Sequence, residues 1–170
     1  MRLWLVRHGV TVWSEEGRLC GSTDVPLSVK GREQAALVRP RLRGQVFDGI
    51  WTSDLSRAAE FARLTAGGAT SDRRLRELDF GDLEGKAWQD CDRQTREALV
   101  RFDGFAAPGG ESVADMEERV FGFLSGLDSG EHLIFTHGGV VRLLARRTGA
   151  NISPVPGELT VLEWARVRAE

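Results

Sequence analysis

Short apolar runs alternate along this chain with stretches that have the periodicity of amphipathic helices. Short runs bounded by glycine or polar residues are typical of buried strands, whereas apolar residues that recur every three or four positions are typical of helices. The predicted strands lie at 3–6, 48–52, 133–135 and 160–164, and the predicted helices at 31–43, 55–64, 88–102, 113–127 and 138–147. This alternation predicts an α/β fold, a three-layer domain in which helices flank a mainly parallel central sheet.

Polar residues follow several of the predicted strands directly. Arg7-His8-Gly9 follows the first strand, Asp54 to Arg57 follows the second, and Thr136-His137-Gly138 follows a later one. In a parallel sheet the carboxyl ends of the strands meet at one edge, where ligands of α/β proteins bind. Distant parts of the sequence are therefore predicted to supply one pocket.

The length and charge of the chain narrow the class of protein. Its 170 residues suit a single domain over residues 1–170, and its 41% hydrophobic and 28% charged residues are ordinary for a globular protein. A net charge of −2 provides no general attraction for nucleic acid. The apolar run 3–6 is too short for a signal peptide or a membrane span. We therefore expect a cytoplasmic protein that binds neither nucleic acid nor membranes.

His8 and His137 are the candidate catalytic histidines, because each stands between a predicted strand and a glycine that lets a ligand approach the backbone. A histidine can act as a nucleophile only when one ring nitrogen has a free lone pair. A nearby positive charge disfavours the imidazolium form, and Arg7, or Arg57 if it reaches the site, would supply it while holding phosphate oxygens. Without a further pattern, a solvated helix position is the simpler interpretation of Arg57.

The third histidine and the two cysteines carry no comparable pattern. His132 lies beside Glu131 ahead of a strand and is expected on the solvated surface. Cys20 and Cys91 are too few for a disulfide framework and are expected to be reduced thiols.

Several short motifs follow one another at characteristic separations. They are Leu5 to Gly9, Thr23 to Ser28 with Lys30-Gly31, Ser53 to Ala58, Leu75 to Gly81 with Leu83 to Gly85, Gly109 to Ser112, and Thr136 to Gly139. In this order they resemble the histidine phosphatase superfamily, which includes the cofactor-dependent phosphoglycerate mutases. The resemblance covers nearly the whole chain, and although each motif is modest alone, the set is specific.

The resemblance implies a role for each matching residue. His8 would attack phosphorus, while Arg7, Arg57 and His137 would hold the phosphoryl oxygens and stabilise their charge. Glu77 would protonate the leaving oxygen and then accept a proton from the water that hydrolyses phospho-His8.

The remaining candidate residues have less specific roles. The backbone amide of Gly138 is expected to face phosphate from a helix start. Glu84 is the alternative acid if Glu77 is a surface carboxylate, and Ser14 and Gly21 are candidates for substrate binding. Neither a metal nor any other cofactor is expected, because the arginines supply the positive charge that a metal would otherwise bring.

Three positions depart from the family pattern. Val10 stands where many members have glutamate, Ser14 where they have asparagine, and Phe61 where threonine is usual. Ser14 keeps a hydroxyl but lacks the amide, which puts one phosphate contact in doubt. None of the three is the proposed nucleophile or acid.

The resemblance predicts a metal-independent phosphomonoesterase for a small phosphorylated metabolite. Residues 2–9 and 101–112 look most like bacterial α-ribazole-5′-phosphate phosphatases, which act in cobalamin nucleotide-loop assembly. Four aromatic residues are candidates for lining an aromatic leaving-group site, although core packing is expected for most of them. They are Trp13, Trp88, Phe102 and Phe105.

Two other functions stay open, a phosphoglycerate mutase and a non-catalytic module that binds a phosphorylated ligand. The longer mutases have extra segments that retain a bisphosphate, for which 170 residues leave little room. A binding module does not require His8, Glu77 and His137 together. Association as a homodimer is left open as well.

Overall fold

A five-stranded sheet forms the centre of the structure, a computed structural model that describes residues 1–165. The strands are β1 (Arg2–Arg7), β2 (Gly49–Thr52), β3 (Thr70–Ser71), β4 (Glu131–Thr136) and β5 (Leu159–Glu163). They lie in the order β3-β2-β4-β1-β5, and all neighbours are parallel except β5, which is antiparallel to β1. The predicted α/β fold with a mainly parallel sheet is confirmed.

Helices cover both faces of this sheet. They are α1 (Val12–Glu15), α2 (Val29–Val38), α3 (Ser56–Ala66), α4 (Arg93–Arg101), α5 (Val113–Ser125) and α6 (Gly138–Arg147). Single 3₁₀ turns lie at Arg39–Leu42, Arg73–Leu75, Gly81–Leu83 and Trp88–Asp90. Over residues 1–165, none of the helices is both long and apolar enough to cross a membrane.

Alternate residues of the central strands face two different helical layers. Leu5 and Ile134 are fully buried in one cluster with the apolar faces of α5 and α6. Val6 and Phe135, the next residues along the same strands, are fully buried in a second cluster with α2 and α3. Burial of side chains of this size contributes about 1.5–3 kcal/mol each, so the two-sided burial holds the three layers together.

Two predicted helices are shorter than expected. Helix 31–43 ends as an α-helix at Val38 and continues as a 3₁₀ turn, because Pro40 has no amide hydrogen and its ring clashes with the preceding turn. Helix 88–102 is divided, because the Asp92 carboxylate accepts from the amide of Thr95 at 2.8 Å and starts α4 as an N-cap.

The carboxyl ends of β1, β2 and β4 lie side by side. Arg7 and Thr136 are paired at the ends of β1 and β4. One residue further on, the amide of His8 donates to the carbonyl of Thr136 at 3.1 Å, and the amide of Ser53 donates to that of Phe135 at 3.0 Å. The residues that follow these three strands therefore start from one edge of the sheet, as predicted.

Candidate active site

His8 lies in the first position after β1 and is only 7% exposed. Its Nδ1 is 2.6 Å from the carbonyl oxygen of Gly9, which can only accept, so Nδ1 carries the hydrogen. The lone pair is therefore on Nε2, which accepts from Nε of Arg57 at 3.2 Å. This hydrogen bond fixes the tautomer that a nucleophilic histidine requires.

Arg57 belongs to the first turn of α3 and is 1% exposed. Besides the contact with His8, its guanidinium donates to the carbonyl of Thr23 at 2.8 Å and to that of Gly21 at 2.5 Å. The three nitrogens of the guanidinium are thus held by acceptors from two parts of the chain, His8 after β1 and the loop at residues 21–23. The structure places Arg57 against His8 and not on a solvated helix face.

Glu84 fixes the loop that holds Arg57. Its carboxylate accepts from the amides of Gly21 at 3.1 Å, Ser22 at 2.8 Å, Thr23 at 3.3 Å and Phe80 at 2.9 Å. Four amides occupy the Glu84 carboxylate, and Glu84 is absent from the wall of the cavity described below, which favours Glu77 over Glu84 as the acid. Gly21 supports Arg57 through its carbonyl and is absent from the wall of the cavity described below.

His137 and Arg7 have buried polar atoms that nothing in residues 1–165 satisfies. The ring of His137 is fully buried, its centroid lies 5.0 Å from that of His8, and neither of its nitrogens has a hydrogen-bond partner. Arg7 donates from Nη1 to the carbonyl of Pro154 at 2.6 Å, but its Nε is unpaired. Buried polar groups are nearly always hydrogen-bonded, so such a cluster indicates a site built around a ligand that accepts hydrogen bonds.

Glu77 faces the same region and is 9% exposed. One carboxylate oxygen accepts from its neighbour, the amide of Leu78, and the other from the amide of Gly139 in the first turn of α6, both at 2.9 Å. A Cβ at Gly139 would overlap the Glu77 carboxylate, so the contact requires glycine there. Gly138 begins α6, where a Cβ would lie 3.2 Å from Cζ of Arg7.

A cavity of about 370 Å³ opens above these groups. Arg7, His8, Glu77 and Gly138 contribute to its surface, together with two of the four aromatic candidates, Trp88 and Phe102. Phe105 is instead buried in the core, which is the position expected for most of these aromatics.

The remaining candidates lie beside this cavity. Trp13 is not part of the wall but packs against Gly85. Ser14 does line the cavity, yet its hydroxyl already accepts from the amide of Thr11 at 2.8 Å, so its part in substrate binding stays a prediction.

Several wall residues have no counterpart among the predicted site residues. They are Thr11, Arg18, Leu19, Cys20, Phe80, Leu99, Gly139, Arg142, Ser153 and Pro154. Arg142 lies four residues after Gly138 on α6, and residues at this spacing share a helix face, so helical periodicity could have identified it. Ser153 and Pro154 lie in a loop near the carboxyl end of the chain, where no sequence pattern pointed to them.

The expectation that His132 is solvated is wrong. His132 is 3% exposed, its Nε2 lies 3.0 Å from the carbonyl of Asp128, and its Nδ1 lies 3.4 Å from Nε1 of Trp51. It is the second residue of β4 and pairs with Gly49 of β2. Trp51 lies two residues further along β2, so its side chain is on the same face of the sheet as that of His132, where the two rings meet.

Burial and the arginines determine the charge of the site. Burial first, and then the positive charges of Arg57 and Arg7, hold the pKa of His8 well below its ordinary value. Burial and the charge of Arg57 do the same for the pKa of His137, with smaller contributions from His8, Arg119 and Arg7. Both imidazoles are therefore neutral around pH 7.

We expect the protein to lose stability as the pH falls through about 6.5, the ordinary histidine pKa. A pKa that is lower in the folded than in the unfolded chain makes the unfolded chain take up the proton first, so the stabilisation is complete above that pH and is lost below it. Two such histidines contribute up to about 2.7 kcal/mol per pH unit. Urea unfolding of the wild type and of His8→Gln/His137→Gln between about pH 7.5 and about pH 5.5 measures the difference. Equal slopes in both proteins would contradict the expectation.

Comparisons with known proteins place this arrangement in a family. A model of the histidine phosphatase superfamily (branch 1) matches residues 3–164. "Probable phosphoglycerate mutase GpmB" of Yersinia enterocolitica is 36% identical over 128 residues, which are 71% of this chain and 60% of that protein. The chain spans 60 to 69% of the length of the phosphoglycerate mutase-like relatives that it matches.

Two solved structures extend the comparison. TTHB049 from Thermus thermophilus shares 44% identity and a TM-score of 0.89, over 98% of this chain and 95% of that one. An Escherichia coli K-12 protein described as "a putative alpha-ribazole-5'-P phosphatase" shares 28% identity and a TM-score of 0.78, over 95% and 89% of the two chains. With the family model covering almost the full sequence, these similarities show that the chain belongs to branch 1 of the histidine phosphatase superfamily.

Proposed function

We propose that this protein is a metal-independent phosphomonoesterase that works through a phosphohistidine at His8. The observation that carries the proposal is the fixed tautomer of this buried histidine, with the hydrogen on Nδ1 held by Gly9 and the lone pair on Nε2 beside Arg57. A depressed pKa keeps that lone pair available at neutral pH.

The first step transfers the phosphoryl group to the protein. Nε2 of His8 gives up its hydrogen bond with Arg57 and bonds to phosphorus, while the bond from phosphorus to the ester oxygen breaks. Three donors would then bind the phosphoryl oxygens, namely Nε of Arg57, Nε of Arg7 and the ring of His137. The unpaired state of the last two supports this assignment. Donors already fixed by the fold stabilise the developing charge without reorganisation, which is where enzymes of this chemistry gain most of their rate.

Proton transfer in both steps is assigned to Glu77. In the first step its carboxyl gives a proton to the departing ester oxygen. In the second, the carboxylate takes a proton from a water that attacks phosphorus, the bond to Nε2 of His8 breaks, and inorganic phosphate leaves. The position of Glu77 on the cavity surface, held by the amides of Leu78 and Gly139, supports this role.

The cavity wall favours an ester whose alcohol is large and partly aromatic. Trp88, Phe102 and Leu99 supply apolar surface beside the phosphate position. Besides Arg7, two cations lie on the wall. Arg142 donates from its two terminal nitrogens to the carbonyls of Leu99 and Val100, although its Nε has no partner, and Arg18 pairs with Glu16 at 2.6 Å. α-Ribazole 5′-phosphate fits this description, and the similarity to the Escherichia coli protein supports it as the first substrate to test.

A phosphoglycerate mutase is the second candidate. The names of the relatives favour it. Arg18 would have to leave Glu16 to bind the carboxylate of a phosphoglycerate, whereas Nε of Arg142 has no partner at present. The same histidine would then pass its phosphoryl group to a second alcohol and not to water.

Phosphate release separates the candidates. We expect wild-type protein in chelator to release inorganic phosphate from α-ribazole 5′-phosphate faster than from 3-phosphoglycerate, phenyl phosphate or glycerol 2-phosphate. Transfer between phosphoglycerates, dependent on added 2,3-bisphosphoglycerate and without net release, would instead support the mutase. Binding of these esters without either reaction would leave a phospho-ligand-binding module as the function.

A further inference from the structure

All five N–H groups of Arg119 are used within the protein. Nε and Nη2 donate to the two carboxylate oxygens of Glu111 at 2.6 and 2.8 Å. Nη1 donates to the carbonyls of Arg74 and Arg76, both at 2.8 Å, and Nη2 also donates to the carbonyl of Glu77 at 3.1 Å. A guanidinium has five donors in a fixed planar fork, so Arg119 is fully committed to this segment.

Glu111 holds the same segment from the other side of Glu77. Its Oε2 accepts from the amide of Asp79 at 3.3 Å, and its own amide donates to the carbonyl of Asp79 at 2.9 Å. The side chains of Glu111 and Arg119 are 17% and 21% exposed, so the pair is shielded better than an ordinary surface ion pair.

The segment that these two residues hold has no regular structure of its own. Residues 76–80 lie between two 3₁₀ turns. The carbonyl of Phe80 accepts from the amide of Leu83 in the second turn, whereas the carbonyls of Arg76 and Glu77 accept from Arg119. One side chain of α5, that of Arg119, thus binds three backbone carbonyls around Glu77, those of Arg74, Arg76 and Glu77 itself. A further contact, between Arg76 and Asp54 at 2.6 Å, is more exposed, at 40% and 31%.

We propose that Arg119 and Glu111 are positioning residues that aim the carboxyl of Glu77 at the ester oxygen. This inference rests on the proposed function, because it gives the Arg119–Glu111 pair, called the clamp below, the task of orienting Glu77 for acid–base catalysis. Neither residue lines the active-site cavity. Replacements that keep the positive charge of Arg119, which contributes to the low pKa of His137, should therefore affect proton transfer selectively and leave phosphate binding intact.

The test compares two esters that need the acid to different degrees. 4-Nitrophenolate leaves readily without a proton, whereas the alkoxide of glycerol 2-phosphate needs one. For Arg119→Lys, which keeps the charge but loses the fork, kcat/KM for glycerol 2-phosphate should fall at least about tenfold, part of the 10²–10⁴ that acid–base catalysis contributes. The value for 4-nitrophenyl phosphate and the inhibition constant of inorganic phosphate should change much less.

Two further variants complete the design. Glu111→Gln, which loses an acceptor for Arg119 or for the Asp79 amide, should give the same selective loss even if Arg119→Lys folds poorly. Arg74→Lys is the matched control. Arg74 ties the preceding 3₁₀ turn to α5 by donating to the carbonyl of Gly122, and its side chain does not bond to the carbonyls of Arg76 or Glu77. It should retain the wild-type ratio of the two rates.

The results distinguish a failure of this inference from a failure of the proposed function. The clamp is overturned if kcat/KM falls equally for both esters in Arg119→Lys and Glu111→Gln. It is also overturned if their ratio of the two kcat/KM values equals that of Arg74→Lys. Either result leaves the proposed phosphatase function intact. If wild type hydrolyses neither ester, or if hydrolysis persists in His8→Ala, the proposed function fails, and the clamp's role in proton transfer fails with it.

Discussion

Replacing His8 with alanine should lower phosphate release by at least about four orders of magnitude, as expected when a covalent nucleophile is removed. Nε2 of His8 is the atom proposed to bond to phosphorus. Arg57 can hold the phosphoryl oxygens but cannot act as the nucleophile in place of His8. Rapid quenching of wild type with a radiolabelled ester should trap a phosphoprotein that is stable in alkali and labile in acid. No such species should form in His8→Ala.

His132→Ala is the control for that experiment. His132 is as buried as His8, but it bonds to Asp128 and Trp51 and lies outside the cavity. This variant should lose stability and keep its turnover per folded molecule. A His8→Ala protein that still releases phosphate, or a label that maps to another residue, would exclude the phosphohistidine mechanism.

Replacing Glu77 with glutamine should lower kcat/KM for alkyl phosphates by about 10²–10⁴, the usual contribution of a general acid. The amide keeps the size of the side chain but has no acidic proton, and its NH₂ group faces one of the two amide donors of Leu78 and Gly139. For 4-nitrophenyl phosphate, phosphorylation of His8 should be nearly as fast as in wild type. Hydrolysis of phospho-His8 should then be slow, because the base is missing, so a burst of nitrophenolate should precede a slow steady rate.

Glu84→Gln separates this role from a structural one. Glu84 accepts from four backbone amides and anchors the loop that holds Arg57. Its replacement should therefore lower kcat/KM for both esters by a similar factor and produce no burst. If Glu84→Gln shows the ester selectivity and Glu77→Gln does not, the assignment of the acid is reversed.

Local patterns predicted much of the fold correctly. Strands β1, β2 and β4 and helices α3, α5 and α6 follow from their apolar patterns, because each packs apolar side chains against the neighbouring layer. Predictions were poorer where a single residue interrupts such a pattern, as at Pro40 and Asp92. The two-residue strand β3 is too short to produce any periodicity, and it exists only because β2 is there to pair with it.

The sequence by itself also indicated His8, Arg57 and Glu77 as candidate site residues, through strand ends and through motifs that resemble a family. Tertiary structure decided how those residues are held. The tautomer of His8, the five-donor fork of Arg119 and the four-amide cradle of Glu84 join segments that lie between 42 and 63 residues apart, with the exception of the local Gly9, Glu111 and Phe80 contacts. Hydrogen bonds over such separations depend on where the sheet brings the loops together. For that reason the sequence could name Glu77 and Arg57, whereas only the folded chain shows what orients them.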